Sequence, residues 1–238
     1  MENANVAAVI GVGPGLGAAL ARRFARGGYA VALVARRVES LQGVKKEISD
    51  QGGKAVSIPA DAADAASVSA AFAEIRESLG DPEVLVYNAG AFFPGGVMDV
   101  TPDQLEACWR ANCFGAFAAA REVVPSMLAR GRGTILLTGA TASLRGSAGF
   151  SCLSVGKFGL RALGQSLARE LHPKGIHVAH VIVDGQIDSP RARAASPARA
   201  THTFLDPDSI AESYWQLHRQ PPNAWTQELE LRPSVEKF

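Results

Sequence analysis

Short apolar, β-branched runs alternate along the chain with longer segments whose apolar positions recur every three or four residues. The runs are Val6–Ile10, Ala30–Val34, Ala55–Ile58, Val84–Val86, Thr134–Leu137 and His177–Val183. Between them Leu16, Leu20 and Phe24 share one helical stripe, as do Leu160, Leu163, Leu167 and Leu171. Runs that are apolar at every position suit strands covered on both faces. Strands alternating with helices imply right-handed crossovers, so the pattern predicts a doubly wound parallel α/β sheet of about seven strands with helices on both sides. A helix over Pro207–Arg219 and a last strand over Gln227–Leu231 complete it. Gln186–Thr203 is rich in Ala, Arg, Ser and Pro without a period and reads as a mobile loop. No repeat or linker divides the chain, so 1–238 reads as one domain with a substrate-loop region over about 186–220.

Composition narrows the function. The 238 residues are 47% hydrophobic and 20% charged, enough for one large core. With 24 basic against 23 acidic residues the net charge is +1, and no positive excess draws the chain to nucleic acid or a membrane surface. The start, MENANVAAVIG, has no basic stretch leading into an apolar segment, and no apolar run approaches the ~18 residues of a membrane span. Cys108, Cys113 and Cys152 lack metal-ligand spacing and read as reduced thiols. A cytoplasmic protein without a metal is expected.

The first run passes straight into Gly11-Val-Gly13-Pro-Gly15-Leu16-Gly17 and then a helix. Glycines at such a turn let the backbone approach a diphosphate, which sits on the amides and dipole of the helix N-terminus. Gly11, Gly15 and Gly17 have the GxxxGxG spacing of the short-chain dehydrogenase/reductase family, which essentially the whole chain resembles. Asn88-Ala89-Gly90 resembles the family's NAG motif on the adenosine side of the cofactor, and Asp61-Ala62 matches the pair at the adenine ring. Asn112 matches the structural asparagine of the central helix. The resemblance implies a Rossmann-type fold, a small-molecule substrate and cofactor contacts at Gly185 and Ile187 after the sixth strand. It also implies a homodimer or homotetramer. Ala116, Phe117, Ala119, Ala120 and Phe158 extend the apolar surface of two helices beyond what one sheet face needs, which suits a two-fold interface.

The second strand ends Leu33-Val-Ala35-Arg36-Arg37, with alanine where NAD binders carry an acid for the ribose 2′-hydroxyl. A guanidinium grips a phosphate bidentately, so NADP(H) is favoured over NAD(H). Otherwise both arginines are solvated charges opening the next helix.

In the resembling family a tyrosine passes the proton, a lysine four residues later holds the nicotinamide ribose, and a serine thirteen residues before the tyrosine binds the same substrate oxygen. Lys157 fits that lysine, but the tyrosine position is Leu153 and the serine position is Ala140. The three tyrosines, Tyr29, Tyr87 and Tyr214, lie elsewhere in the sequence. Ser143 and Ser154 offer hydroxyls nearby. Asp184 stands where the family has proline; it is an acid if burial against the nicotinamide raises its pKa, and a solvated or capping carboxylate otherwise. The expectation is an NADP(H)-dependent oxidoreductase with an altered proton donor, acting on an apolar carbonyl, enone or quinone-like substrate. The alternative is a cofactor-binding scaffold or redox sensor that has lost the chemistry.

Overall fold

Each apolar run forms a strand in the computed structural model, which describes residues 5–235. The strands are β1 Val6–Ile10, β2 Ala30–Ala35, β3 Ala55–Pro59, β4 Val84–Tyr87, β5 Gly133–Ala140, β6 Ile176–Val183 and β7 Glu228–Leu231. They pair in parallel in the order β3-β2-β1-β4-β5-β6-β7. The order reverses between β1 and β4, which opens a crevice beyond the strands' C-terminal ends.

The helices are α1 Leu16–Arg26, α2 Gln42–Asp50, α3 Ala65–Ser78, α4 Pro102–Trp109, α5 Gly115–Arg130, α6 Ser151–Leu171, α7 Pro190–Ala195 and α8 Pro207–His218. Leu16, Leu20 and Phe24 of α1, Val44 and Ile48 of α2, and Ile210, Tyr214 and Leu217 of α8 cover one face of the sheet. Val68, Phe72 and Ile75 of α3, Val123 and Met127 of α5, and Leu160 and Leu171 of α6 cover the other. Local chemistry sets several helix starts. Asp64 accepts from Ala66 N ahead of α3, Thr101 and Gln104 form a capping box at α4, and Asp206 accepts from Ser209 N at α8.

Two expectations change. The 186–203 segment is not a plain loop: it holds α7, with Ser189 as its cap and Pro190 in its first turn, and a 3₁₀ turn at Thr201–Thr203. Six residues are too few for an apolar period to show. A bridge between Ile187 and Leu205 pins the segment at both ends. The second change concerns α5. Ala116, Ala119 and Ala120 are spent on the sheet, fully buried, so they are not surplus surface. Phe117 and Phe158 do face outward.

Candidate active site

At the crevice lies a cleft of about 430 Å³, lined by Gly11 and Gly13 after β1, Arg36, Arg37 and Ser40 after β2, Asp61 and Ala62 after β3, and Asn88-Ala89-Gly90 after β4. The glycines divide the work. Gly11 has φ +91°, and a Cβ there would lie 2.5 Å from Ala89 N. One on Gly17 would lie 2.4 Å from Gly11 O. These two glycines close the turn onto β4 and α1, whereas Gly13 has nothing within 4 Å and leaves its backbone bare toward the cleft. Gly15 faces the α7 segment, with Ser189 Cβ 3.6 Å from the position of its missing Cβ. Leu16 is buried as the first residue of α1. Asn88 Nδ2 donates to Gly11 O at 3.0 Å and ties the β4 loop to the turn. Asp61 Oδ1 accepts from Ala63 N at 2.9 Å.

From the cleft's inner end, Gly90 leads to Asn112 and Lys157. Asn112 sits in a π-helical turn, Arg110–Phe114, between α4 and α5, a distortion frequent at functional sites. Its Nδ2 donates to Ala91 O at 2.8 Å and Cys108 O at 2.9 Å. Its buried Oδ1 has no partner among the described residues. Lys157 Nζ donates to Thr138 O at 2.8 Å. Burial depresses the Lys157 amine to about 8, partly opposed by the thiols of Cys108 and Cys113. A Cβ on Gly90 would lie 2.7 Å from Asn112 Oδ1, so glycine is what lets the chain pass the asparagine, with Lys157 Nζ 3.7 Å from the same point.

Ala140 ends β5, and Leu153 lies one turn before Lys157 on α6. The three tyrosines are engaged elsewhere. Tyr87 OH donates to Ala111 O at 2.7 Å, Tyr214 OH to Thr138 Oγ1 at 2.9 Å, and Tyr29 OH lies 2.7 Å from His218 Nε2. Ser143 is buried, accepting from Ala140 N at 3.2 Å with His180 Nε2 at 3.3 Å. Ser154 Oγ is buried without a partner among the described residues. Asp184 is not solvated. It is buried, accepts the Thr141 hydroxyl on Oδ1 and pairs Oδ2 with Arg232 at 2.8 Å. A carboxylate engaged on both oxygens is an acceptor.

Residues 5–200 match the model of the short chain dehydrogenase family. The chain belongs to that family. Membership makes this short-chain dehydrogenase an NAD(P)-dependent oxidoreductase. A short-chain dehydrogenase structure from Rhodopseudomonas palustris is 39% identical, with a TM-score of 0.84 over 98% of this chain and 100% of that one. A metagenomic short-chain oxidoreductase in complex with NADP is 30% identical, with a TM-score of 0.84 over 97% and 98%. The glycine betaine reductase of Emericella nidulans is 30% identical over 97% of this chain; the chain spans 19% of that protein's length.

Within this short-chain dehydrogenase, sequence reasoning placed Gly11, Gly13, Arg36, Arg37, Asp61, Ala62 and Asn88–Gly90 together, and the structure gathers them around one cleft. Gly185, with φ +148°, and Ile187 stand apart from that cleft, on the segment that faces Gly15. Thr141, His180 and Arg232 went unnoticed. For Thr141 and Arg232 the only sequence signal was Asp184: a buried carboxylate at the end of an apolar strand requires partners. Among the described residues no cluster could hold a metal, and no helix is long and apolar enough to cross a membrane.

Proposed function

We propose that this chain is an NADP(H)-dependent oxidoreductase of small or medium-sized apolar carbonyl, enone or quinone-like substrates. In this reading it lacks the usual serine and tyrosine, since Ala140 and Leu153 hold those positions, and handles its proton with another group. The observation that carries the cofactor assignment is the sharing of one cleft by the bare backbone of Gly13 and the side chains of Arg36, Arg37 and Ser40. That cleft joins a diphosphate cradle to two arginines that follow β2, with no acid at the end of that strand, an arrangement suited to a 2′-phosphate. The 30% identical oxidoreductase in complex with NADP supports the same choice.

In this assignment Gly11, Gly13, Gly15, Leu16 and Gly17 hold the diphosphate at the start of α1, and Arg36 and Arg37 hold the 2′-phosphate. Asp61 and Ala62 border the adenine, Asn88, Ala89 and Gly90 the adenosine side, Lys157 the nicotinamide ribose, and Gly185 and Ile187 the nicotinamide end. The bound nucleotide supplies or takes the hydride; the chain orients it and manages the proton. Phe92 and Phe150 stack with centroids 5.0 Å apart, both part-exposed, beside the start of α6, which suits an apolar substrate. Residues 1–238 form one domain in this reading, with 186–220 shaping the pocket and the outward Phe117 and Phe158 serving a homodimer or homotetramer.

Titration by intrinsic fluorescence tests the nucleotide. NADPH is expected to bind at least tenfold more tightly than NADH, about 1.4 kcal/mol, with the preference lost in Arg36→Ala. Equal affinities in the native protein reject the phosphate-gripping role. NADPH turnover against aldehydes, ketones, enones and quinones tests the substrate class.

A further inference from the structure

β5 and β6 run in register to their ends, where Ala140 pairs with Val183. The next residue on each strand, Thr141 and Asp184, is joined by a hydrogen bond from the Thr141 hydroxyl to Asp184 Oδ1. Asp184 is 3% exposed, and a buried carboxylate persists only when paired. Its pair is Arg232, which follows β7 and reaches Asp184 Oδ2 at 2.8 Å while also contacting Glu230. Arg232 orients the carboxylate. The arrangement sits at the C-terminal ends of β5 and β6, with Thr141 one residue beyond Ala140 and three beyond Thr138, whose carbonyl holds Lys157.

The hydrogen-bond sense is informative. Thr141 has already given its only proton to Asp184, so its oxygen presents lone pairs to whatever enters the site. A carbonyl oxygen brings no proton to such a group. An alcohol does. We propose that Thr141 and Asp184 form the relay that takes the hydroxyl proton of an alcohol substrate, with Thr141 as a catalytic residue and Arg232 as a positioning residue. The inference rests on the oxidoreductase reading above and names the group left open there.

The balance is simple. The substrate O–H bond breaks and its proton passes to Thr141 Oγ1, while the proton already on Thr141 passes to Asp184 Oδ1. The C–H bond of the carbinol carbon breaks as its two electrons leave with hydride for the oxidised nicotinamide dinucleotide, and the C–O bond becomes a carbonyl. After the product leaves, the proton on Asp184 returns to Thr141 Oγ1 as Thr141 releases a proton to water that enters the emptied site.

The test uses the full chain with NADP+, a panel of primary and secondary alcohols, and trifluoroethanol, an alcohol too electron-poor to give up hydride readily. Binding of trifluoroethanol is read by fluorine NMR line broadening, independently of turnover. Thr141→Val is expected to lose alcohol oxidation by roughly 10²-fold or more and to lose the fluorine signal, with NADP+ affinity within about threefold of native. Thr141→Ser should restore both. Asp184→Asn should lose the rate yet keep trifluoroethanol. If it unfolds by stranding Arg232, the Asp184→Asn, Arg232→Gln pair replaces it. Variants that bind NADP+ and oxidise alcohols like the native protein overturn the relay and leave the oxidoreductase reading standing. A native protein that neither binds nor turns over NADP(H) overturns both. If the native protein binds NADP+ and no alcohol in the panel reacts, or if trifluoroethanol binding is indifferent to the Thr141 hydroxyl, the relay is overturned.

Discussion

His180 fills the space that a side chain on Gly139 would need: a Cβ there would lie 2.4 Å from His180 Nε2. The ring also meets Ser143 Oγ at 3.3 Å and Glu228 Oε2 at 3.6 Å, and Arg161 grips Glu228 through two hydrogen bonds. A polar chain thus runs from the end of β5 to β7 and α6. Gly139→Ala is expected to destabilise the protein by about 1–3 kcal/mol through overpacking. His180→Ala opens the space again, so the double substitution should cost less than the sum of the singles. Urea melts of all four proteins measure this coupling, and strict additivity would show that the contact is unimportant.

Buried histidines should make the fold acid-sensitive. Burial holds His180 and His218 at about 4 and lowers His177 as well. These folded-state values lie below the ordinary 6.5, so between about pH 6.5 and 4 the unfolded chain binds more protons than the folded one. Stability is then present above that window and lost as pH falls through it. His218 lies 2.9 Å from Thr134 Oγ1 and 2.7 Å from Tyr29 OH, and neither partner is charged at neutral pH. His218→Gln should flatten the decline in urea-measured stability between pH 7 and pH 4.5, even if it lowers the value at pH 7.

Lys157 gives the same signature in a higher pH window. Its folded value of about 8 lies below the usual 10.5, so the buried ammonium costs stability in full below pH 8. The cost diminishes as pH rises toward 10.5, since only the unfolded chain keeps the proton there. Lys157→Met should therefore be more stable than native nucleotide-free protein at pH 7, by up to roughly 3 kcal/mol, with the advantage shrinking by pH 10. Other groups also titrate in this range, so the quantity to measure is the difference between the two proteins. A difference that does not change with pH would mean that the lysine is solvated.

Much of this was legible in the chain itself. Strands such as β1 and β6 are apolar at every position because both faces are covered, and the glycine turn follows one of them directly. The Lys157–Asn112 pairing was readable only through family spacing, since no local pattern brings α6 to the turn before α5. The Thr141–Asp184–Arg232 contacts join residues 43 and 48 positions apart, and side-chain contacts at such separations leave no periodic trace. α7 was missed because a six-residue helix has no room for a stripe.

The proposal that Ala140 and Leu153 replace a serine and a tyrosine can be tested by adding both hydroxyls. Leu153→Tyr places a phenol four residues before Lys157 on the same helix face, and Ala140→Ser adds a second donor at the end of β5. The double substitution is expected to raise NADPH-dependent carbonyl reduction by roughly 10²-fold or more, with each single change doing less because the two groups act on one oxygen. Melting curves must show that the added bulk costs no more than ~1–3 kcal/mol. A folded, NADPH-binding double variant that reduces no simple aldehyde or ketone would mean that the pocket has been rebuilt around other chemistry.

The π turn at Arg110–Phe114 has a geometric consequence of its own. Each residue turns an α-helix by about 100° and advances it ~1.5 Å. Asn112 packs against Gly156 of α6 and donates to Ala91 O and Cys108 O, while Ala116, Ala119, Ala120, Val123 and Met127 pack in the core on the sheet. The looser turn between them sets the phase that makes both directions available from one continuous stretch of chain. Deleting a single residue there would restore an unbroken spiral and swing one face out of place, either the asparagine or the apolar stripe. Between Pro102 and Arg130 the number of residues is thus constrained as tightly as their identity, and an insertion or deletion does what no ordinary substitution does: it uncouples the site from the core.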